Sequence, residues 1–272
     1  MLFQSPARNK KPAADSRSVG RPAANGSRVS RTAPEHGKYP SAPDNTTIYV
    51  IGDVHGCSGL LEDLHRRLDR DQARQGKTSA VEIYLGDYID RGENSAKVIS
   101  ELLKRAATRK IVCLRGNHEN MLLSFMREPA SLEAWLRLGG GATLASYGVK
   151  LGRSSDRHPR GIQTDLIARM PADHFRFFEA LPSKLELGDY FFAHAGVRPS
   201  ISLSAQTDED LTTIRTPFLD HTNSFGRIVV HGHTPVLTPE FYSNRINIDT
   251  GAFATGSLTC LKIDGYGPQI LP

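Results

Sequence analysis

Five short runs of β-branched and aromatic residues each stop at a tight polar cluster, and this repetition limits the folds open to the chain. Thr47–Ile51 leads into Gly52-Asp53-Val54-His55-Gly56, and Val81–Leu85 into Gly86-Asp87-Tyr88-Ile89-Asp90-Arg91-Gly92. Lys110–Leu114 leads, through Arg115, into Gly116-Asn117-His118-Glu119. Tyr190–Ala193 meets His194-Ala195-Gly196, and Arg227–His231 ends in His231-Gly232-His233. Such runs signal strands. Between the first three, Leu60, Leu61, Leu64 and Leu68, then Val98, Ile99, Leu102 and Leu103, fall at helical spacing. The βαβαβ order predicts an α/β fold with parallel strands and right-handed crossovers. In an open α/β sheet the carboxyl ends of the strands share one edge, where ligands bind. Clusters far apart in sequence are therefore expected to meet in space.

The remaining pattern is plainer. His118–Leu138 and Gln163–Leu181 read as a helical middle, with Gly139-Gly140-Gly141 as a helix-ending turn and Trp135 as a packing aromatic. Arg245–Asp249 and Ser257–Ile263 complete a mostly β last third. Lys and Arg outnumber Asp and Glu by 34 to 29, and the whole excess lies before Thr47. That segment is rich in Pro, Ser and Ala, so residues 1–46 are expected to form a disordered basic tail and residues 47–272 a charge-balanced domain. A balanced body offers no basic field for nucleic acid, so no nucleic-acid partner is expected. No apolar run approaches the ~20 residues of a membrane span, and no apolar core of a secretory signal follows the first residues. Cys57, Cys113 and Cys260 lie far apart without CxxC spacing, which suits reduced thiols in a cytoplasmic protein.

The clusters carry Asp, His, Asn and Glu, which are oxygen and imidazole donors without thiolate. That set suits manganese, iron, zinc or magnesium rather than a Cys-rich structural zinc site. There is no CxxxxxR phosphatase loop and no GxSxG elbow, so no nucleophilic side chain is marked. The isolated His36, His65, His158, His174 and His221 read as surface or packing residues.

Taken in order, GDVHG, GDYIDRG and LRGNHE resemble the three signature motifs of the PPP-type metallophosphatases, the phosphoprotein phosphatases of the calcineurin-like superfamily. The 29 residues between Gly56 and Gly86 and the 23 between Gly92 and Gly116 are similar to the family's gaps. HAG at 194–196 and HGH at 231–233 resemble its two later histidine motifs, so the likeness spans roughly residues 47–263. It implies a four-layer α/β/β/α sandwich and two divalent ions, manganese first, with iron, zinc or magnesium as alternatives. Asp53 and His55 would bind one ion, Asp87 would bridge, and Asn117, His194 and His233 would complete the second site. Either histidine of HGH could ligate; His233 is chosen because the family's ligand follows the strand-ending glycine. His118 would be the general acid, partnered by Asp90. Arg91 would bind phosphate, helped by Arg215, although the tryptophan often found before that motif's Ile-Arg is missing.

The implied activity is hydrolysis of phosphoserine and phosphothreonine, with phosphotyrosine possible, in a phosphoprotein or phosphopeptide. A hydroxide shared by the two ions would attack phosphorus directly. The alternative is a symmetric diadenosine-tetraphosphate hydrolase. GDYIDRG with GNHE looks more like the protein phosphatases. Asp249 and Glu119 are expected to act as structural support and Cys57 as a packed thiol. The oligomeric state is not legible.

Overall fold

Alternation within the first strand separates two buried faces. In β1 (Thr46–Ile51), Ile48 and Val50 join one apolar core, while Tyr49 and Ile51 join another, as the strand's period of two requires. The computed structural model describes residues 37–75, 79–151 and 158–272. Residues 1–36, most of the expected tail, lie outside the described residues. The rest of that segment packs on the body. Tyr39 and Ala42 are buried in the first of these cores, and the Tyr39 hydroxyl donates to the Tyr242 carbonyl. The ordered body therefore starts before Thr47, because a tyrosine and an alanine there find apolar partners.

The expected βαβαβ start is present. After β1 come α1 (Ser58–Gln75), β2 (Ser79–Tyr84), α2 (Ser95–Ala106) and β3 (Ile111–Cys113). Five helices follow: α3 (Asn117–Arg127), α4 (Leu132–Arg137), α5 (Gly140–Ser146), α6 (Pro159–Arg169) and α7 (Ala172–Ala180). The last part holds β4 (Lys184–Leu187), β5 (Tyr190–Ala193), α8 (Asp208–Thr213), β6 (Ile228–His231), β7 (Glu240–Phe241), β8 (Arg245–Asn247), α9 (Ala252–Thr255), β9 (Cys260–Asp264) and β10 (Gly267–Ile270).

These strands form two five-stranded sheets, ordered β10-β9-β1-β2-β3 and β4-β5-β6-β8-β7. Both have three parallel strands in register, β1-β2-β3 and β5-β6-β8, flanked by antiparallel neighbours. Ile48, Val50, Val81 and Ile83 of the first sheet pack against Tyr190, Phe192, Val230 and Ile246 of the second. Each such side chain contributes roughly 1.5–3 kcal/mol on burial. Leu61, Leu64 and Leu68 of α1 and Val98, Ile99 and Leu102 of α2 cover the first sheet's outer face. Phe191 and Val229 on the second sheet's outer face are capped by Leu211 of α8, Ile214 and Phe218. The result is the four-layer α/β/β/α sandwich.

Three strands had no sequence signal strong enough to mark them. β7 has two residues, β10 contains Gly267 and Pro268, and β4 alternates weakly on an edge. Gly139-Gly140-Gly141 does more than end a helix. Gly139 is left-handed (φ 106°), and α5 starts at once on Gly140. No helix among the described residues is long and apolar enough to cross a membrane.

Candidate functional site

All the polar clusters stand at the carboxyl ends of the two parallel triplets, and the sandwich brings those ends together. β1 delivers Asp53 and His55, β2 delivers Asp87, Asp90 and Arg91, and β3 delivers Asn117 and His118. From the second sheet, β5 delivers His194 and β6 delivers His233. Two groups of donors result. His55, Asp87 and His118 form one, and Asp87, His194 and His233 the other; within each, the donor atoms lie within 4.8 Å of one another.

The backbone is bent to achieve this. His55, Asp87, Asp90, Arg91 and His233 all have positive φ, between 43° and 73°. They are five of seven such non-glycine residues among the described residues. Left-handed backbone at non-glycine residues is costly and clusters at functional sites. Close approach also demands glycine at two points. A Cβ on Gly116 would strike the Asp87 carboxylate, and one on Gly232 the Asp53 carboxylate.

Asp87 is the hub. Its Oδ2 lies 3.5 Å from His55 Nε2, 3.4 Å from His194 Nε2 and 3.8 Å from His118 Nε2, while Oδ1 accepts from the His118 backbone N–H at 3.1 Å. Burial opposes its charge, yet the surrounding imidazoles hold its pKa well below the usual carboxylate range. Asp53 behaves oppositely. Burial, then the charges of Asp249 and Asp87, push its pKa well above that range. Burial likewise lowers His55 and His233 to about 3, so both rings are neutral.

The tautomers suit a cation. His55 Nδ1 faces the Ile89 carbonyl at 2.9 Å and His194 Nδ1 the Leu85 carbonyl at 3.1 Å. A carbonyl only accepts, so Nδ1 carries the proton in each and Nε2 presents a lone pair to the site. His194 Nε2 then faces Asn117 Oδ1 at 3.0 Å, and Asn117 Oδ1 faces His233 Nδ1 at 2.8 Å. Imidazole nitrogens and an amide oxygen this close, beside buried carboxylates, form a donor set that a divalent cation would stabilise. His231 does not take part. Its ring turns to Arg245 on the outer face of the second sheet.

His118 occupies the other flank. Its Nδ1 lies 2.7 Å from Asp90 Oδ2. Burial disfavours the imidazolium, but Asp87 and Asp90 outweigh it and raise the His118 pKa. Asp90 is itself braced. Trp135 Nε1 donates to its Oδ2 at 2.8 Å and Thr143 Oγ1 to its Oδ1 at 2.6 Å. Trp135 is thus both a core aromatic and a hydrogen-bond donor to the site; Thr143 had no sequence signal. Glu119 accepts from the backbone N–H groups of Gly116, Asp87 and Tyr88, tying the β2 and β3 turns together. Its burial and the Asp87 charge raise its pKa to about 7. Asp249 is buried beside Asp53 and accepts from Gly251 N–H at 2.9 Å. Cys57 is half-buried.

The two arginines differ in placement. Arg91 donates to His55 Nε2 at 2.9 Å and His118 Nε2 at 3.2 Å, and its guanidinium lies 4.8 Å from the centre of the Phe253 ring. Arg215 is exposed at the rim, where it donates to the His233 carbonyl at 3.3 Å.

Comparison with known proteins agrees with this geometry. Residues 46–254 match the family model described as calcineurin-like phosphoesterase. An asymmetrical bis(5'-nucleosyl)-tetraphosphatase PrpE of Oceanobacillus iheyensis is 27% identical, covering 79% of this chain and 88% of its own. Serine/threonine-protein phosphatase 1 of Salmonella typhimurium is also 27% identical, covering 79% and 91%. A crystal structure provisionally assigned as a diadenosine tetraphosphatase superposes with a TM-score of 0.60 at 20% identity, covering 85% of this chain and 95% of that one.

Proposed function

The chain belongs to the calcineurin-like phosphoesterases, and from that premise we propose that it hydrolyses dinucleoside tetraphosphates by asymmetric cleavage. That it is a hydrolase of the metallophosphatase class follows from the family. The nucleotide substrate is the reading its tetraphosphatase relatives support. It takes precedence over the protein phosphatase reading drawn from the motifs, and asymmetric cleavage takes precedence over symmetric.

One observation carries the chemistry: the Asp87 carboxylate is common to both donor groups. His55 and Asp87 of the first group, with Asp53 added from the motif resemblance and His118 kept for proton transfer, would hold one divalent ion, and Asp87, His194 and His233 with the adjacent Asn117 a second. Manganese, iron, zinc and magnesium all accept such donors. When bound, the pair supplies Lewis acidity at phosphoryl oxygen and lowers the pKa of the attacking water.

The remaining work falls to side chains. Arg91 offers two N–H groups from one planar guanidinium, which suits two phosphoryl oxygens. Those groups now rest on His55 Nε2 and His118 Nε2. His118 Nε2 cannot accept from Arg91 and carry a proton together. Transfer of Arg91 to phosphate therefore frees His118 to be protonated. With Nδ1 held by Asp90, His118 Nε2 gives its proton to the leaving oxygen. Arg215, at the rim, would hold a neighbouring phosphate. All three cysteines are free thiols, which supports a cytoplasmic location.

A second reading, protein phosphatase, is favoured by the Salmonella relative at equal identity. The test is metal-dependent turnover of diadenosine tetraphosphate beside phosphoserine, phosphothreonine and phosphotyrosine peptides. ATP plus AMP is expected. Two ADP would overturn asymmetry, and turnover of the peptides alone would overturn the nucleotide reading.

A further inference from the structure

The turn that presents His233 is held from the far side of the second sheet. Arg245 and Asn247 are two residues apart on β8, so their side chains leave the same face, as does that of His231 on the neighbouring β6. Ile246 and Val230 point the other way, into the core between the sheets. The outward residues form a chain of contacts. Arg245 donates to His231 Nε2 at 3.3 Å, and its guanidinium lies 3.8 Å from the centre of the Tyr242 ring. His231 Nδ1 lies 3.1 Å from the Gly232 carbonyl. The carbonyl accepts only, so His231 is held with the proton on Nδ1 and the lone pair on Nε2. Asn247 Nδ2 donates to the Thr234 carbonyl at 2.9 Å.

The Gly232–His233 peptide and the Thr234 carbonyl, one on each side of the His233 α-carbon, are thus pinned from outside. From inside, Gly232 N–H donates to the His194 carbonyl at 2.8 Å and His233 N–H to Asp53 Oδ2 at 3.1 Å. Between these supports His233 holds a left-handed backbone, φ 64°, which an unsupported histidine avoids.

We infer that Arg245, His231 and Asn247 are positioning residues for the second ion: they clamp the 232–234 turn so that the His233 ring meets Asn117 and His194. Arg245 is suited to this because it is buried against Tyr242 and Phe218 and, among the described residues, has no carboxylate hydrogen-bonded to it. Among the same residues its Nε has no hydrogen-bond partner, and its two terminal nitrogens are directed at His231 and the Leu219 carbonyl. The inference rests on the metallohydrolase reading of this site and adds a role for the first histidine of HGH.

The test has two readouts. Long-range proton–nitrogen NMR spectra of metal-free wild-type protein should show His231 as the Nδ1–H tautomer; the Nε2–H tautomer would overturn the clamp. Titration with Mn²⁺ by calorimetry then reads the ions. Arg245→Met should weaken the second ion roughly 10- to 100-fold and leave the first within about threefold. His231→Asn, which keeps a donor at the Nδ1 position, should stay near wild type, while His231→Gln should weaken the second ion as Arg245→Met does. Equal weakening by Asn and Gln, or an unchanged second ion in Arg245→Met, would overturn the inference. Wild-type protein that binds no Mn²⁺ would instead sink the metallohydrolase reading, whatever the tautomer.

Discussion

The two sheets build their halves of the site from the same plan and brace them differently. Each ends three parallel strands at one edge and places ligands just beyond. In the first sheet the strands feed helices α1, α2 and α3, of 18, 12 and 11 residues. Those helices bury the turns, so Asp53, His55, Asp87, Asp90 and His118 are all inaccessible. In the second sheet β6 runs on into turns and loops, and the 232–234 turn is held by hydrogen bonds from His231 of β6 and Asn247 of β8. A helix-packed turn can keep charged groups dry and their pKa values displaced, as at Asp87 and His118. A turn held by hydrogen bonds leaves His233 partly accessible while His194 beside it is buried, and Arg215 at its rim is exposed as Arg91 is on the first side. The proposed proton donor and both contacts of Arg91 are on the first side.

The sharpest way to break this comparison is to remove the group both halves share. Asp87→Asn should cost on the order of 10³-fold or more in turnover and lose both ions. Elemental analysis showing two ions bound in this variant would refute the shared role.

Next in size is the proposed proton donor, His118, which belongs to the first half alone. His118→Asn should lower kcat by roughly 10²- to 10⁴-fold while both ions remain bound. The loss should be larger for a phosphoserine peptide, whose alkoxide leaves poorly, than for diadenosine tetraphosphate, whose nucleotide leaves easily. Equal losses on the two substrates would show that His118 does not protonate the leaving oxygen.

The smallest expected effect sharpens the contrast between the arginines. Arg91→Ala should reduce kcat/KM by about 10²-fold, as expected for a preorganised donor at developing charge. Arg215→Ala, which removes an exposed side chain bound to one carbonyl, should cost about tenfold or less, mostly in KM. Steady-state kinetics that reverse this order would place the more important phosphate contact on the second sheet.

Legibility followed the strength of the local pattern. Long helices with leucines at regular spacing made α1 and α2 readable, and the first three strand ends followed. β4 alternates weakly and β7 has only two residues, so neither shows a period, whereas β5, β6 and β8 of the same sheet are legible as short aromatic and β-branched runs. Glu119 and Asp249 were read as support, but their reach was not visible: Glu119 spans to the β2 turn, 31 and 32 residues away in sequence. Trp135 looked like packing because an indole's single donor leaves no pattern among its neighbours. The burial of Tyr39 and Ala42 is not legible because they sit among prolines and their apolar partners lie across the fold.

By itself the sequence determined the donor types, their attachment to strand ends and the parallel start, since these depend on local periodicity and on glycines beside the ligands. Only the tertiary structure decided which atoms meet. Asp87 is common to both donor groups because the first sheet's edge is packed against the second, and the Asp90 that holds His118 is braced because α4 and α5 bring Trp135 and Thr143 to it. His233 faces inward and His231 outward because left-handed backbone at His233, held from both sides, turns the chain between them. Side-chain periodicity is local information, whereas hydrogen bonds between residues 30 to 180 apart form only once two cores have closed.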